Sequence, residues 1–245
     1  IERTEMVGGI NKMNKFADLG LLIGDKSVWG KGYGTEAIKL TTRYAFGDLK
    51  LNKFFLAGHS MGGKTAISFA LKWPEMINGL LIADISPFTN ETTKYSAYNQ
   101  HLTTLKAMIS IDLSRISIRR EAESILLEKI PSEKVRGFIL KNLQRTTGNN
   151  FTWKINGLSL LNNLDKIMEG IDHSADVIQQ ITGFPVIFLK GENSDYLPSC
   201  DFKDILIVFP AAEFITAANA GNWIHSDRPA EVEKNLNKLL GARYL

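Results

Sequence analysis

The segment Gly58-His59-Ser60-Met61-Gly62 sets a serine between two glycines. The apolar run Phe54–Ala57 precedes it, and a stretch of helical spacing follows it up to Pro74. A serine hydroxyl is a poor nucleophile at neutral pH. It needs a base to take its proton and a rigid, exposed mounting. A strand that ends at Ser60 and a helix that begins at once would supply the mounting, because the serine then sits on a sharp, strained turn. Gly58 and Gly62 read as positions where a side chain would collide across that turn. The backbone N–H of Met61, at the start of the helix, is aimed at an oxyanion developing beside Ser60. The chemistry expected of this constellation is acyl transfer through Ser60.

Such a serine needs an acid and a base. Asp84 follows the apolar run Leu80–Ala83, and Asp195 follows Pro185–Lys190. Both therefore stand at C-terminal strand ends, where α/β proteins build sites, and either is a candidate for a site role. Adjacent residues on a tight turn point in different directions, so His59 reads as pocket wall and not as the base. His225 is a candidate base or an ordinary loop histidine. His101 and His173 lie in a helical region with no partner that the sequence names. Cys200, the single cysteine, has no neighbouring base and reads as a loop residue.

The elements that must position these residues alternate in type. Strands are expected at Phe54–Ala57, Leu80–Ala83, Pro185–Lys190 and Ala212–Ala217, as parallel neighbours in one sheet. Between the second and third, residues 92–180 turn helical and more polar, with candidate helices Lys94–Ile109, Arg119–Lys129, Ser132–Asn142 and Leu158–Glu169. Ser132, just after Pro131, is the cap of its helix. An insertion of this kind reads as a lid over the C-terminal ends of the strands. The last helix runs from Pro229 to Leu240, with proline in its first turn. Before all of these, Met6–Ile10 and Ala17–Ile23 alternate like strands. A glycine-rich turn at Trp29–Gly34 then leads to Thr35, read as the cap of a helix from Glu36 to Phe46. That helix carries Ala37, Leu40, Tyr44 and Ala45 on one face, which is expected to pack on the sheet.

Of the 245 residues 44% are hydrophobic, enough for one large α/β domain or two small ones. The net charge of +3 gives no electrostatic case for nucleic acid or an anionic membrane. No apolar run approaches the ~18 residues that span a bilayer, and the first residues are not a signal peptide. Ile1 in place of Met suggests a start that is missing or processed. One cysteine allows no intrachain disulfide and fits a cytoplasmic location.

The wording from Phe54 to Ala66, the stretch Ala83-Asp84-Ile85-Ser86-Pro87, Gly191–Tyr196 and Asn219–Pro229 together resemble the α/β-hydrolase superfamily. Within it they are similar to the small bacterial esterases close to the abhydrolase-domain-11 protein. The resemblance implies a mostly parallel α/β sheet under a helical cap, a small acyl ester as substrate, and no metal or organic cofactor. It places the nucleophile at Ser60 and half of the oxyanion hole at Met61. The acid falls at Asp195, the superfamily's usual position, or at Asp84, the position used by this subgroup. Two departures follow from the same comparison. The family writes Ala-Gly-His-Trp where this chain has Ala220-Gly221-Asn222-Trp223, so the base position holds an amide that cannot accept a proton. The family's second oxyanion donor comes from a His-Gly loop before the elbow, and no such dipeptide precedes Ser60. Esterase activity is therefore expected to be weak or absent unless His225 substitutes.

Residues 1–53 resemble a different superfamily, the GNAT acetyltransferases, through Asp18–Lys26 and Trp29–Ile38. There, Gly32, Gly34 and Thr35 would belong to the turn and helix start that hold the pyrophosphate of acetyl-CoA. Either the turn is purely structural or it is a remnant of a CoA site. The chain is thus expected to be a chimera. It divides into a GNAT-like strand–turn–helix segment (1–53), a hydrolase core (54–91 and 181–245) and a helical cap (92–180).

Overall fold

A computed structural model describes residues 7–11, 16–19, 33–48, 50, 53–88, 91–148, 150–171 and 180–241. Its centre is a four-stranded sheet of β3 (Phe54–His59), β4 (Ile77–Ala83), β7 (Val186–Gly191) and β8 (Ala212–Ala217). They lie in the order β3-β4-β7-β8, and every neighbouring pair is parallel. The four expected strands are therefore neighbours in one sheet. β4 is apolar almost throughout because it is central and covered on both faces, and Leu80 and Ile82 are fully buried. Burying one such side chain stabilises the fold by about 1.5–3 kcal/mol.

On one face lies α2 (Met61–Lys72), which buries Gly63, Ala66, Ile67 and Ala70. Their spacing of three and four residues is one stripe of a helix. α2 stops at Trp73 because proline follows. On the other face lies α10 (Pro229–Gly241), whose Leu239 packs with Leu81, Ala83 and Ile187. Gly79 permits this approach: a Cβ there would lie 2.9 Å from both Leu239 Cγ and Phe55 Cδ1. α8 (Phe202–Val208), which the sequence reading did not anticipate, buries Ile205 and Val208 against the first face.

Between β4 and β7 come α3 (Glu91–Ile109), α4 (Arg119–Leu127) and α5 (Glu133–Leu140). After them come the hairpin β5 (Leu143–Arg145) and β6 (Phe151–Trp153), and then α6 (Gly157–Asn162) and α7 (Leu164–Met168). This insertion has a core of its own, in which Met108, Leu126, Leu143 and Phe151 are buried together. Ser132 does cap α5, accepting the Val135 N–H at 3.3 Å. Two features differ from expectation. Leu158–Glu169 is two short helices and not one, broken at Asn163, whose side-chain amide turns back onto Ser159 O at 2.8 Å. The β5–β6 hairpin is not legible in the sequence, because strands of three residues carry no readable alternation. The insertion is tied to the elbow helix by Lys64, whose ammonium donates to the carbonyls of Ile167 (3.3 Å), Met168 (3.3 Å) and Glu169 (2.6 Å). These are the C-terminal carbonyls of α7, which lack helical partners.

In the N-terminal segment, β1 (Val7–Asn11) and β2 (Phe16–Leu19) pair antiparallel as a two-stranded sheet, and α1 spans Tyr33–Gly47. Thr35 thus lies inside the first turn of α1 and not at its cap. Gly32 lies outside the described residues. Of the face expected to pack on the sheet, Leu40 and Tyr44 are instead exposed. At the far end of α1, Phe46 meets Phe54 edge-on with ring centroids 4.7 Å apart.

Candidate active site

Ser60 has φ 51° and ψ −120°, a backbone conformation that costs a non-glycine residue about 1–3 kcal/mol. Neighbouring bonds hold it there. Its N–H donates to Ala83 O at 3.0 Å, and its carbonyl accepts from Gly63 N at 2.8 Å and Lys64 N at 3.2 Å. A Cβ on Gly58 would lie 2.6 Å from Gly62 C and 2.7 Å from Gly63 Cα. The expected collision at Gly62 is not found, since a Cβ there meets nothing within 4 Å. Gly63 is the crowded position instead: a Cβ there would lie 2.5 Å from Ile85 Cγ2. The strand and helix cross closest at Gly58 and Gly63, which a sequence motif alone does not distinguish from Gly62. Gly58→Ala should therefore lower stability by about 1–3 kcal/mol, the cost of overpacking against backbone. Gly62→Ala should be neutral or mildly stabilising, because alanine favours helix. Urea denaturation of the two variants checks this; equal losses would contradict the geometry.

Asp84, directly after β4, is fully buried and also has positive φ, 51°. Each carboxylate oxygen is engaged. Oδ1 accepts the Gly191 N–H at 2.9 Å. Oδ2 accepts the Ser194 hydroxyl and the Asn222 side-chain amide, the latter at 3.0 Å. Asn222 also donates to the Asp84 carbonyl at 3.2 Å. Asp195 by contrast is exposed. The structure thus brings Asp84 and Asn222 together and leaves Asp195 at the surface.

Ser60 and Asn222 line one cavity of about 590 Å³. Its remaining wall comes mostly from the insertion, through apolar side chains such as Leu105, Met108, Ile139 and Leu164. Met61 opens α2, where first-turn N–H groups have no helical acceptor and are available to an anion. His59 lines the cavity and contacts the Asn222 carbonyl through Nε2 at 2.7 Å. A carbonyl only accepts, so Nε2 carries the proton and cannot be a base. His225 sits on α9 (Ile224–Asp227), exposed and outside the cavity lining, with its ring 4.8 Å from that of His59. Partial desolvation, then the nearby His59 and Lys134, hold its pKa below the ordinary histidine value against the pull of Asp227.

His101 has a partner that the sequence did not reveal. Its Nε2 lies 2.9 Å from the Tyr196 hydroxyl, and both side chains line the cavity. Burial lowers the pKa of His101. Burial first, and then the charge of Asp84, push the Tyr196 phenol up to about 12. The pair is a neutral imidazole and an un-ionised phenol. His173 lies outside the described residues. Among the described residues no cluster of histidine, cysteine or carboxylate could hold a metal ion, and no helix is long and apolar enough to cross a membrane.

Known proteins resemble the two parts of the chain separately. A family model for the GNAT acetyltransferase domain matches residues 3–61, so that match runs into the elbow itself. The sn-1-specific diacylglycerol lipase ABHD11 of Danio rerio is 36% identical over 200 residues, which are 81% of this chain and 60% of that protein. Esterase YbfF of Escherichia coli is 26% identical over 196 residues, 78% of this chain and 68% of that one. A solved structure, a marine microorganism esterase, is 33% identical with a TM-score of 0.70, covering 83% of this chain and 76% of that one. The chain spans less than two thirds of the zebrafish lipase.

Proposed function

Since the chain belongs to the α/β-hydrolase superfamily and carries a GNAT-like N-terminus, we propose that it is a serine hydrolase of carboxylesterase type, impaired at its base, acting on small acyl esters. Ser60 is the nucleophile and the Met61 N–H is half of the oxyanion hole. Asp84 is the acid, favoured over Asp195 by its burial and its bond to Asn222. Asn222 stands where the base belongs. The observation that carries this reading is Ser60, held at φ 51° in a cavity that it shares with Asn222. The Asp84–Asn222 bond supports the impairment. An asparagine Nδ2 donates to an acid much as a histidine Nδ1 does, so the loop stays in place. What asparagine lacks is the far ring nitrogen that takes the serine proton.

The same observation favours a second reading, a protein that binds an ester or acyl ligand without turning it over. A fluorophosphonate probe separates the two. Slow labelling that Ser60→Ala abolishes supports the hydrolase; binding of an ester with Ser60 unlabelled even after prolonged exposure supports the binder. In either case the functional division is 1–53, 54–91 with 181–245, and 92–180. In this reading the GNAT-like segment has no acetyl-transfer role, and acetyl transfer from acetyl-CoA to an amine that Gly32→Pro abolishes would refute that. A cytoplasmic location belongs to the same reading.

A further inference from the structure

The geometry points to Lys134 and Asp227 as a latch that couples closure of the helical insertion over the cavity to the placement of the loop carrying Asn222. Asp227 is the joint. One of its oxygens, Oδ1, pairs with Lys134 on α5, and the other, Oδ2, accepts the Gly221 N–H at 3.0 Å. A single carboxylate therefore holds an insertion helix and the residue next to Asn222 at the same time. The Lys134 ammonium also lies 5.0 Å over the ring of Trp223, on the other side of Asn222. Phe138, one helical turn beyond Lys134, meets the same ring at 5.0 Å. Two side chains of α5 thus grip the loop Gly221–Trp223 from the cavity side, and all of these residues line the cavity.

An exposed ion pair on its own contributes little. Here the pair is reinforced by the cation–π contact and by a backbone bond on the shared carboxylate. Lys134 donating to Asp227 is the leading cause of that carboxyl's lowered pKa, so the carboxylate keeps its charge further into acidic solution than an ordinary aspartate. The Lys134 side chain is 46% exposed, which leaves the latch open to screening by salt. Asp227 is then a positioning residue, acting on residue 222 through Gly221, and the insertion opens only when that loop is released.

Hydrogen–deuterium exchange of the whole chain tests this without reference to hydrolysis, so its outcome is separate from that of the proposed function. Peptides covering 133–140 and 218–226 are compared with one covering β4. Lys134→Met keeps the apolar stem over Trp223 and removes the charge. It should speed exchange in both outer peptides together by roughly three- to tenfold, the combined effect of one ion pair and one cation–π contact. β4 should not change. Asp227→Asn should act in the same direction, and Lys134→Arg should restore protection. In the unaltered protein, 1 M NaCl against low salt should accelerate the same two peptides, which guards against a variant that misfolds. Acceleration of only one peptide, or of neither in both the variant and the salt series, overturns the coupling.

Discussion

Replacing Asn222 by histidine should raise hydrolysis of a short p-nitrophenyl ester by about 10²- to 10⁴-fold, the usual contribution of a positioned general base. The present side chain already makes half of the bonds a base would make. Its Nδ2 donates to Asp84 Oδ2 at 3.0 Å, and its backbone carbonyl is fixed by His59 at 2.7 Å. A histidine at 222 can place Nδ1–H on the same carboxylate oxygen, which leaves Nε2 to face the cavity that Ser60 lines. The gain should be confined to kcat and kcat/KM, because the base acts in the transition state and the binding wall is untouched. His225→Ala in the unaltered chain is the companion measurement. His225 lies outside the cavity lining, so its removal should leave the residual rate nearly unchanged. A brisk unaltered enzyme that His225→Ala silences would reverse the assignment. No gain from Asn222→His, with Ser60 labelled only slowly as before, would move the defect to the oxyanion hole, where a missing donor costs about 10²–10³, and a Ser60 that resists fluorophosphonate altogether would favour the binder.

Much of the site's scaffold was legible because it rests on strong local signals. Phe54–Ala57 could be read as a strand and the stretch after Ser60 as a helix ending before Pro74, since period and length differ sharply between the two. Asp84 and Asn222 could be singled out one at a time, but their contact joins residues 138 positions apart, and no periodicity carries that. The same holds for His101 and Tyr196, and for Lys134 and Asp227, each pair joining the insertion to the sheet's loops. The error at Gly62 has a different origin. The motif marks glycines by spacing, whereas the crowding is set by where α2 crosses β3 and Ile85, a packing fact. Helix α1 illustrates the limit of amphipathic reading: Leu40 and Tyr44 share a face, yet pattern alone does not say that a sheet covers it.

In the Asn222→His background, Asp84→Asn should lower kcat by about 10³- to 10⁴-fold, the scale seen when the acid that orients a catalytic histidine becomes an amide. Asp195→Asn should leave it within about twofold, since exposed substitutions away from special features stay within ~0.5 kcal/mol. The contrast follows from burial and bonding. Asp84 is fully buried with both oxygens occupied, and it alone of the two acids touches the side chain at 222. An amide at 84 presents only one acceptor, and its NH₂ group can face the histidine N–H donor, so the ring loses its orientation and its countercharge. Stability gives an independent reading of the same residue. Asp84→Ala strands the buried Gly191 N–H and Ser194 hydroxyl, and each unsatisfied group costs about 1–3 kcal/mol. Urea denaturation should therefore show a loss of several kcal/mol for Asp84→Ala and almost none for Asp195→Ala. If Asp195→Asn instead abolishes the restored activity while Asp84→Asn spares it, then the loop after β7 rearranges around substrate and the acid is Asp195. The buried network at Asp84 would in that case serve the fold alone.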